Sequence, residues 1–411
     1  QDLRRLLIPR NKLRPRVVLI AIFTPSHWLM IRPVHLLLSL QLVSAHLNSD
    51  SQLYEQEHGW PRGLPGGASE ISAVAVDHLV EGKEVYISQR GPNFPQTILV
   101  FNGAGDLVRS WGNDTVTFQN GSFGSHGISI QQRGRGLPPR LWVFDMYVGR
   151  VTLHNPKGGL LDESGRGGQG TAIEPELQYG CVSDGDFGPD GMAYVADGDG
   201  GVNNRIVALN SSLPIASPEA LVWVAGNGEG SAKIVSNPAF QAPHGVTRHP
   251  RTGNLFVADR ENNRTLMLSP EGKPLGEWRC PGLGRNGTAW GVRASFGSDD
   301  FIFVAVADSP EDGAHQFVQV MDGNHVHADM PGPCKVLQTI GPIDKKQCVT
   351  PHLMAVDPSN GDLYLACVTA DPKQGSIQGI LKYRRTALSA QMVRERTPLS
   401  AQMVRESITL I

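Results

Sequence analysis

Three histidines occur in the same setting, each just ahead of an apolar run that is typical of a β-strand. They are His126 in SHGISI, His244 in PHGVT and His352 in PHLMAV. Three imidazoles with an open fourth position form the usual catalytic zinc arrangement, and the same ligands suit copper or iron. The long separations between these histidines match no linear zinc motif. Only the overall architecture can therefore bring them together.

Each histidine opens one copy of a repeating unit. The fourth unit reads HGVTRHPRTGN, LFVADRE, NNRTLML and PLGEWRC, and six units in this order fill residues 50–385. Alternating apolar residues between closely spaced turns indicate β-strands. Six four-stranded units can close into a ring, which leaves no exposed sheet edge. We predict an all-β, six-bladed β-propeller in one domain. Because the sixth unit ends after its third strand, we expect residues 51–61 to supply the missing strand and latch the ring.

Aligning the units on their first strands gives one residue just before each apolar run. In order these are Ser72, His126, Ser183, His244, Trp290 and His352. First strands line the central channel of a propeller, and equivalent positions in alternate blades lie about 120° apart around its axis. The three histidines are therefore predicted to converge on one metal ion. The alternative is that each imidazole hydrogen-bonds channel water and strand ends.

A second position in the repeat is acidic and ends the second strand. It is occupied by Asp145, Asp197, Asp259 and Asp308, with Gln89 and Cys367 in the first and sixth units. Asn-Arg pairs then start third strands. These features resemble NHL repeats, and residues 85–101 and 190–264 are similar to the NHL repeat-containing protein 3 family. That resemblance implies a secreted propeller whose molecular activity is poorly defined.

The chain also resembles peptidyl-α-hydroxyglycine α-amidating lyase, another six-bladed NHL propeller. This resemblance implies that the zinc ligands are the three histidines already singled out. It further implies that Arg90 in SQRGP and Arg260 in ADREN are active-site arginines. Arginine at these positions could hold a substrate carboxylate with two hydrogen bonds. The alternative is a structural ion pair with a neighbouring blade.

Two positions depart from the lyase pattern. Where the lyase has a catalytic tyrosine, this chain reads ADGDGGVNN, in which the Asp199 carboxylate could act as a base. Where the lyase has an aspartate that helps to bind calcium, this chain has Leu353. We therefore expect the zinc site and the anion-binding arginines to be retained, and the usual base and the calcium site to be lost.

The beginning of the chain indicates secretion. Residues 1–29 precede Met30 as upstream sequence to which we assign no role. Residues 30–45 are interpreted as a signal peptide, because an apolar core at 34–43 precedes a small-residue cleavage site. The alternative is a buried strand or an uncleaved anchor. N-glycosylation is predicted at five sequons: Asn113, Asn120, Asn210, Asn263 and Asn286. Residues 386–411 contain LSAQMVRE twice and are predicted to be a disordered or artefactual tail.

Five cysteines without CxxC spacing predict one or two disulfides and a remaining thiol in an oxidising compartment. The expected pair is Cys280 with Cys334, because both follow outer-strand positions in neighbouring blades and both match cysteines of the similar family.

The formal net charge of −2 argues against a general attraction to nucleic acid or to an anionic membrane. We expect a monomer without a stable membrane span. The favoured hypothesis is a secreted propeller that binds a metal and a carboxylate-bearing small molecule or peptide in its channel. The first alternative is a zinc-dependent lyase that releases glyoxylate from peptidyl-α-hydroxyglycine. The second alternative is a protein-interaction platform.

Overall fold

The computed structural model describes residues 52–387 apart from eleven short gaps. The gaps are 92, 114–123, 135, 166–169, 201–202, 229–230, 279–286, 297–299, 309–315, 324–334 and 369–378. Within the described residues the chain forms twenty-five strands, β1–β25, and two single-turn 3₁₀ helices at Pro218–Ala220 and Arg260–Asn262. None of the described helices has the length and apolar composition that crossing a bilayer would need.

Six antiparallel sheets follow one another along the chain. The first blade contains β2 (Ile71–Asp77), β3 (Glu84–Gln89), β4 (Ile98–Asn102) and β5 (Leu107–Trp111). The second contains β6 (Ser125–Gln131), β7 (Arg140–Asp145), β8 (Arg150–His154) and β9 (Leu160–Ser164). The third contains β10 (Val182–Phe187), β11 (Met192–Asp197), β12 (Arg205–Asn210), β13 (Leu221–Gly226) and the added parallel strand β14 (Ile234–Ser236).

The remaining three blades repeat the same order. The fourth contains β15 (Pro243–Arg248), β16 (Leu255–Asp259), β17 (Arg264–Leu268) and β18 (Pro274–Trp278). The fifth contains β19 (Gly287–Ala294), β20 (Phe301–Asp308), β21 (Gln316–Asp322) and β22 (Val336–Ile343). The sixth contains β23 (Thr350–Val356), β24 (Leu363–Val368), β25 (Ile380–Arg385) and, from the start of the described chain, β1 (Tyr54–Gln56).

The first strands of the six blades form a closed inner ring. Each of β2, β6, β10, β15, β19 and β23 contacts the next, and β23 contacts β2. The predicted six-bladed propeller is therefore confirmed. Because first strands are inner strands, the residues at their starts face one another around the axis.

The sixth blade joins the two ends of the described chain. In β1, Tyr54 pairs with Arg385 of β25. The backbone N–H groups of Leu53 and Tyr54 also donate to the Gln338 side chain of the fifth blade, at 2.8 and 3.0 Å. Trp60, only 2% exposed, packs against Tyr364 of the sixth blade with ring centroids 4.9 Å apart. The Trp60 ring also lies 6.3 Å from that of Phe101 in the first blade, centroid to centroid, so the segment 53–60 links three blades at the closure point.

Ion pairs at the hairpin ends explain the acidic position and the Asn-Arg starts of the repeat. Asp197 ends β11 and receives a 2.9 Å hydrogen bond from Arg205 Nε, the first residue of β12, with both side chains fully buried. Asp259 and Arg264 repeat this contact at 2.7 Å. The chain is thereby held at the mouth of the channel, where the loop after each aspartate projects Asp199 and Arg260.

Several predicted features lie outside the described residues: the segments 1–29 and 30–45, the duplicated tail from 388 onward, Asn120, Asn286, and the pair Cys280 and Cys334. The structure contains a disulfide that the sequence analysis did not anticipate, between Cys348 and Cys367. It ties the loop before β23 to β24 within the sixth blade.

Candidate metal centre

The three histidines of the alternate blades meet on the propeller axis. His126 and His244 are the second residues of β6 and β15, and His352 is the third residue of β23. Each pair of imidazole rings has centroids 4.7 Å apart. All three side chains are at most 1% exposed. The repeat alignment and the ring closure together place them in one cluster.

The Nδ1 atom of each imidazole is anchored to the neighbouring blade. His126 Nδ1 lies 2.9 Å from the carbonyl oxygen of Ser183, and His244 and His352 make the same contact with Trp290 and Ser72. These three carbonyls belong to the equivalent residues of the next blades. A carbonyl can only accept, so Nδ1 carries the proton and Nε2 presents its lone pair. Such a bond to the second ring nitrogen is the usual support of a metal-binding histidine.

The Nε2 atoms are placed as ligands. Candidate ligand nitrogens of the three residues lie within 4.8 Å of one another. Among the described residues, Nε2 of His126 and of His244 is buried with no hydrogen-bond partner. A buried polar atom left unsatisfied costs about 1–3 kcal/mol. Zinc–nitrogen bonds of about 2.0–2.1 Å would require each ring to move inward by less than about 1 Å. The cluster therefore fits a transition-metal ion.

Electrostatics keep the imidazoles in the form that binds a metal. Burial lowers the pKa of His126, an effect that the nearby Asp199 partly opposes. Burial also holds the pKa values of His244 and His352 well below the ordinary value. Because a metal competes with protons for imidazole nitrogen, neutral rings at neutral pH favour coordination.

Asp199 stands over the cluster on the loop that follows β11. Its Oδ2 atom is 3.1 Å from His126 Nε2 and 3.8 Å from His244 Nε2. Its backbone N–H donates to the Cys181 carbonyl at 3.1 Å, which fixes the loop against the inner ring. Burial would raise the pKa of Asp199, whereas Arg260 and the facing histidines, in their protonated form, lower it to well below its usual value. The carboxylate is therefore ionised beside the candidate ligands.

Two arginines flank this carboxylate. Arg260 Nη1 lies 2.7 Å from Asp199 Oδ1, and the Arg260 guanidinium is 4.7 Å from the ring centroid of Trp290. The Trp290 ring in turn lies 5.3 Å from that of His244. Arg90 is 6% exposed, and burial lowers its pKa against the opposing charges of Glu70 and Asp199. Both arginines therefore lie at the end of the channel that contains Asp199.

A buried ion pair spans the channel further along the inner strands. Arg293 of the fifth blade lies 3.1 Å from both carboxylate oxygens of Asp184 in the third blade. Arg293 Nε also donates to the Met354 carbonyl of the sixth blade, and Asp184 accepts the backbone N–H of Val246 in the fourth. These contacts join four blades across the axis and fill the channel on one side of the histidine cluster. The cluster therefore faces the other end of the channel, where Asp199 lies.

The structure brings the predicted histidines, Asp199 and the two arginines into one region. Sequence reasoning gave no role to Trp290, although the repeat alignment placed it in the histidine position of the fifth blade. It also missed the pair of Asp184 and Arg293, which the alternating pattern of β10 and β19 does not distinguish from ordinary channel-facing polar residues. The three described sequons lie in turns or at strand ends, and Asn113 is the exposed one.

Comparison with known proteins gives relatives along most of the chain. No family model matches the sequence. NHL repeat-containing protein 3 from Mus musculus is 32% identical over 338 residues, spanning 78% of this chain and 83% of that protein. The protein of the same name from Homo sapiens is 32% identical over 335 residues with the same coverage. A gluconolactonase structure from Xanthomonas campestris has a TM-score of 0.49 and 11% identity, over 82% of this chain and 96% of that one.

Proposed function

Because the chain belongs to the family of NHL repeat-containing protein 3, we propose that it is an NHL propeller whose central channel binds one metal ion. The ligands are His126, His244 and His352. Zinc is the proposed ion, because three neutral imidazoles form a common zinc-binding set in proteins. The observation that carries this proposal is the shared geometry of the three rings. Each has Nδ1 bonded to the next blade, and the candidate ligand nitrogens gather within 4.8 Å.

A carboxylate-bearing ligand is the second part of the proposal. Arg260 and the buried Arg90 place two guanidinium groups beside the cluster, and arginine binds carboxylates through paired hydrogen bonds. Arg260 already pairs with Asp199 of the third blade at 2.7 Å, so an external carboxylate would replace Asp199 as its partner. The ligand class we propose is a small molecule or peptide with a free carboxylate.

We propose that this propeller works in the secretory pathway or outside the cell. The signal-like segment 30–45 and the sequons support this location. The disulfide between Cys348 and Cys367 is compatible with an oxidising compartment.

Metal analysis of the purified protein tests the central proposal. Protein produced without added metal should contain about one equivalent of zinc, copper or iron by mass spectrometry. His244→Ala should lose most of it, because the change removes one of the three imidazole ligands. His58→Ala is the matched control, since His58 is exposed and outside the channel. Equal metal content in wild type and His244→Ala would refute the site.

An activity assay on the same purified protein tests the lyase alternative. A bound zinc ion would supply Lewis-acid activation of a substrate hydroxyl. The lyase alternative requires wild type to release glyoxylate from α-hydroxyhippurate, and Arg90→Ala or Arg260→Ala to slow that release. Asp199 then serves as the base, because no tyrosine stands in its place. A metal-loaded wild type that leaves α-hydroxyhippurate intact supports the binding function and rejects the lyase.

A further inference from the structure

We propose that Asp199 supplies the fourth ligand and closes the histidine site with the chain's own carboxylate. This inference rests on the proposed metal site and goes beyond it, because it assigns a fourth ligand beside His126 and His244. It gives Asp199 a ligand role in place of the base role that the sequence suggested. The consequence is that an external carboxylate reaches the ion only by displacing Asp199.

The distances around Asp199 match those between ligands of one ion. In a tetrahedral zinc site with bonds of about 2.0–2.1 Å, neighbouring ligand atoms are about 3.3 Å apart. Asp199 Oδ2 lies 3.1 Å from His126 Nε2 and 3.8 Å from His244 Nε2, values on either side of that separation. The carboxylate oxygen therefore already stands at the ligand spacing from two imidazoles.

Hydrogen-bond roles favour a metal cation between these atoms. His126 Nδ1 bonds the Ser183 carbonyl, so in the neutral ring Nε2 has only a lone pair to present. Asp199 in its ionised form also has only lone pairs. Two acceptors at 3.1 Å repel each other, and the contact does not satisfy hydrogen-bond geometry. A metal ion bound by both atoms turns this repulsion into two bonds.

Arg260 acts as the positioning residue for this carboxylate. Its Nη1 group binds Asp199 Oδ1, which leaves Oδ2 directed at His126 and His244. The guanidinium is itself held over the Trp290 ring at 4.7 Å. On the other side, the backbone N–H of Asp199 is fixed to the Cys181 carbonyl. Because both the backbone and the side chain of Asp199 are held in place, its Oδ2 atom faces the histidines in a fixed orientation.

Cobalt substitution with acetate as the probe tests the assignment. Co²⁺ reports its ligands through its visible absorption, so wild type, Asp199→Ala and Asp199→Asn are loaded with cobalt and titrated with sodium acetate at constant ionic strength. We expect the wild-type spectrum to stay unchanged up to about 50 mM acetate, because the fourth position is filled. The Asp199→Ala spectrum should start different and shift with acetate towards that of wild type.

Metal affinity gives a second readout. Asp199→Ala and Asp199→Asn should bind cobalt at least about tenfold more weakly than wild type, and acetate should restore part of the loss in Asp199→Ala. Asp186→Ala is the control, since Asp186 bonds Thr247 and Arg248 away from the histidines and its removal should leave affinity and spectrum unchanged. Circular dichroism and thermal melting show whether each variant is folded.

The outcomes separate the two proposals. A wild-type spectrum that responds to acetate as strongly as that of Asp199→Ala would overturn the ligand assignment and leave the three-histidine site intact. Unchanged affinity in folded Asp199→Asn would do the same. If wild type binds no cobalt at all, the proposed metal site fails and the fourth ligand fails with it.

Discussion

Asp199 of the third blade and Arg260 of the fourth are joined by a 2.7 Å ion pair directly above the histidine cluster. The second carboxylate oxygen of Asp199 faces His126 of the second blade at 3.1 Å. Side chains of three successive blades therefore form one polar chain across the channel mouth. The site accordingly depends on the relative positions of whole blades, because none of these contacts lies within a single sheet.

Metal affinity should be nearly constant on acidification through pH 6.5, the ordinary imidazole pKa, and fall only at lower pH. The reason is that burial holds the pKa values of His244 and His352 well below that value. A lowered pKa means that protons compete with the metal only in more acidic solution. Chelator competition at a series of pH values measures this. Weakening that is already complete by pH 6.5 would contradict the burial argument.

Arg205→Ala should lower the free energy of unfolding by about 3–5 kcal/mol, because it leaves the buried Asp197 carboxylate without its charged partner. Denaturant titration followed by circular dichroism measures the loss. Arg62→Ala is the matched control: Arg62 pairs with Asp106 on the surface, with both side chains well exposed, and its removal should cost less than about 1 kcal/mol. Equal losses in the free energy of unfolding would show that the buried ion pair stabilises the protein no more than the exposed one.

Trp60→Ala should destabilise the protein by about 3–5 kcal/mol, because it removes a buried ring from the junction of the first and sixth blades. Thermal and denaturant unfolding of the variant give the value. Leu79→Ala serves as control, since Leu79 is 65% exposed and its truncation should change stability by less than about 0.5 kcal/mol. A Trp60→Ala protein as stable as the control would mean that the N-terminal segment contributes little to ring closure.

Peptide mapping under non-reducing conditions should recover Cys348 linked to Cys367. Removing this bond by Cys348→Ser should cost about 3 kcal/mol, the value expected from loop-closure entropy for a sequence separation of 19 residues. The same map tests the separate prediction that Cys280 pairs with Cys334.

Cys181 should stay unmodified by iodoacetamide at pH 8 in native protein, since burial raises the pKa of its thiol to about 12. Rapid alkylation of native Cys181 would contradict that burial.

Expression from Met30 in animal cells should release glycosylated protein into the medium, cleaved near residue 45. N-terminal sequencing locates the cleavage, and glycosidase treatment should increase electrophoretic mobility. Asn113→Gln should remove one glycan, because Asn113 is exposed in the turn after β5. Protein retained in the cytosol with unchanged mobility would refute both secretion and glycosylation.

The sequence by itself determined the architecture and identified the two histidines that join His244 in the candidate metal site. The strand period, the turn spacing and the acidic residue that ends most second strands are local properties, so the six repeats and their closure into a ring could be predicted from the sequence. The alternation of histidine between blades could be read in the same way, because equivalent repeat positions become symmetric positions around the axis. His126 and His352 were therefore identified without any local motif.

Only the tertiary structure decided what surrounds those histidines. The contact of Asp199 with Arg260, the stacking of Trp290 and the ion pair of Asp184 with Arg293 all join different blades. Their geometry depends on loop conformations and on blade tilt, which no repeat pattern specifies. The anchoring of each Nδ1 to the next blade likewise became visible only after ring closure. Repeats fix which positions are equivalent, whereas packing between blades fixes which atoms meet.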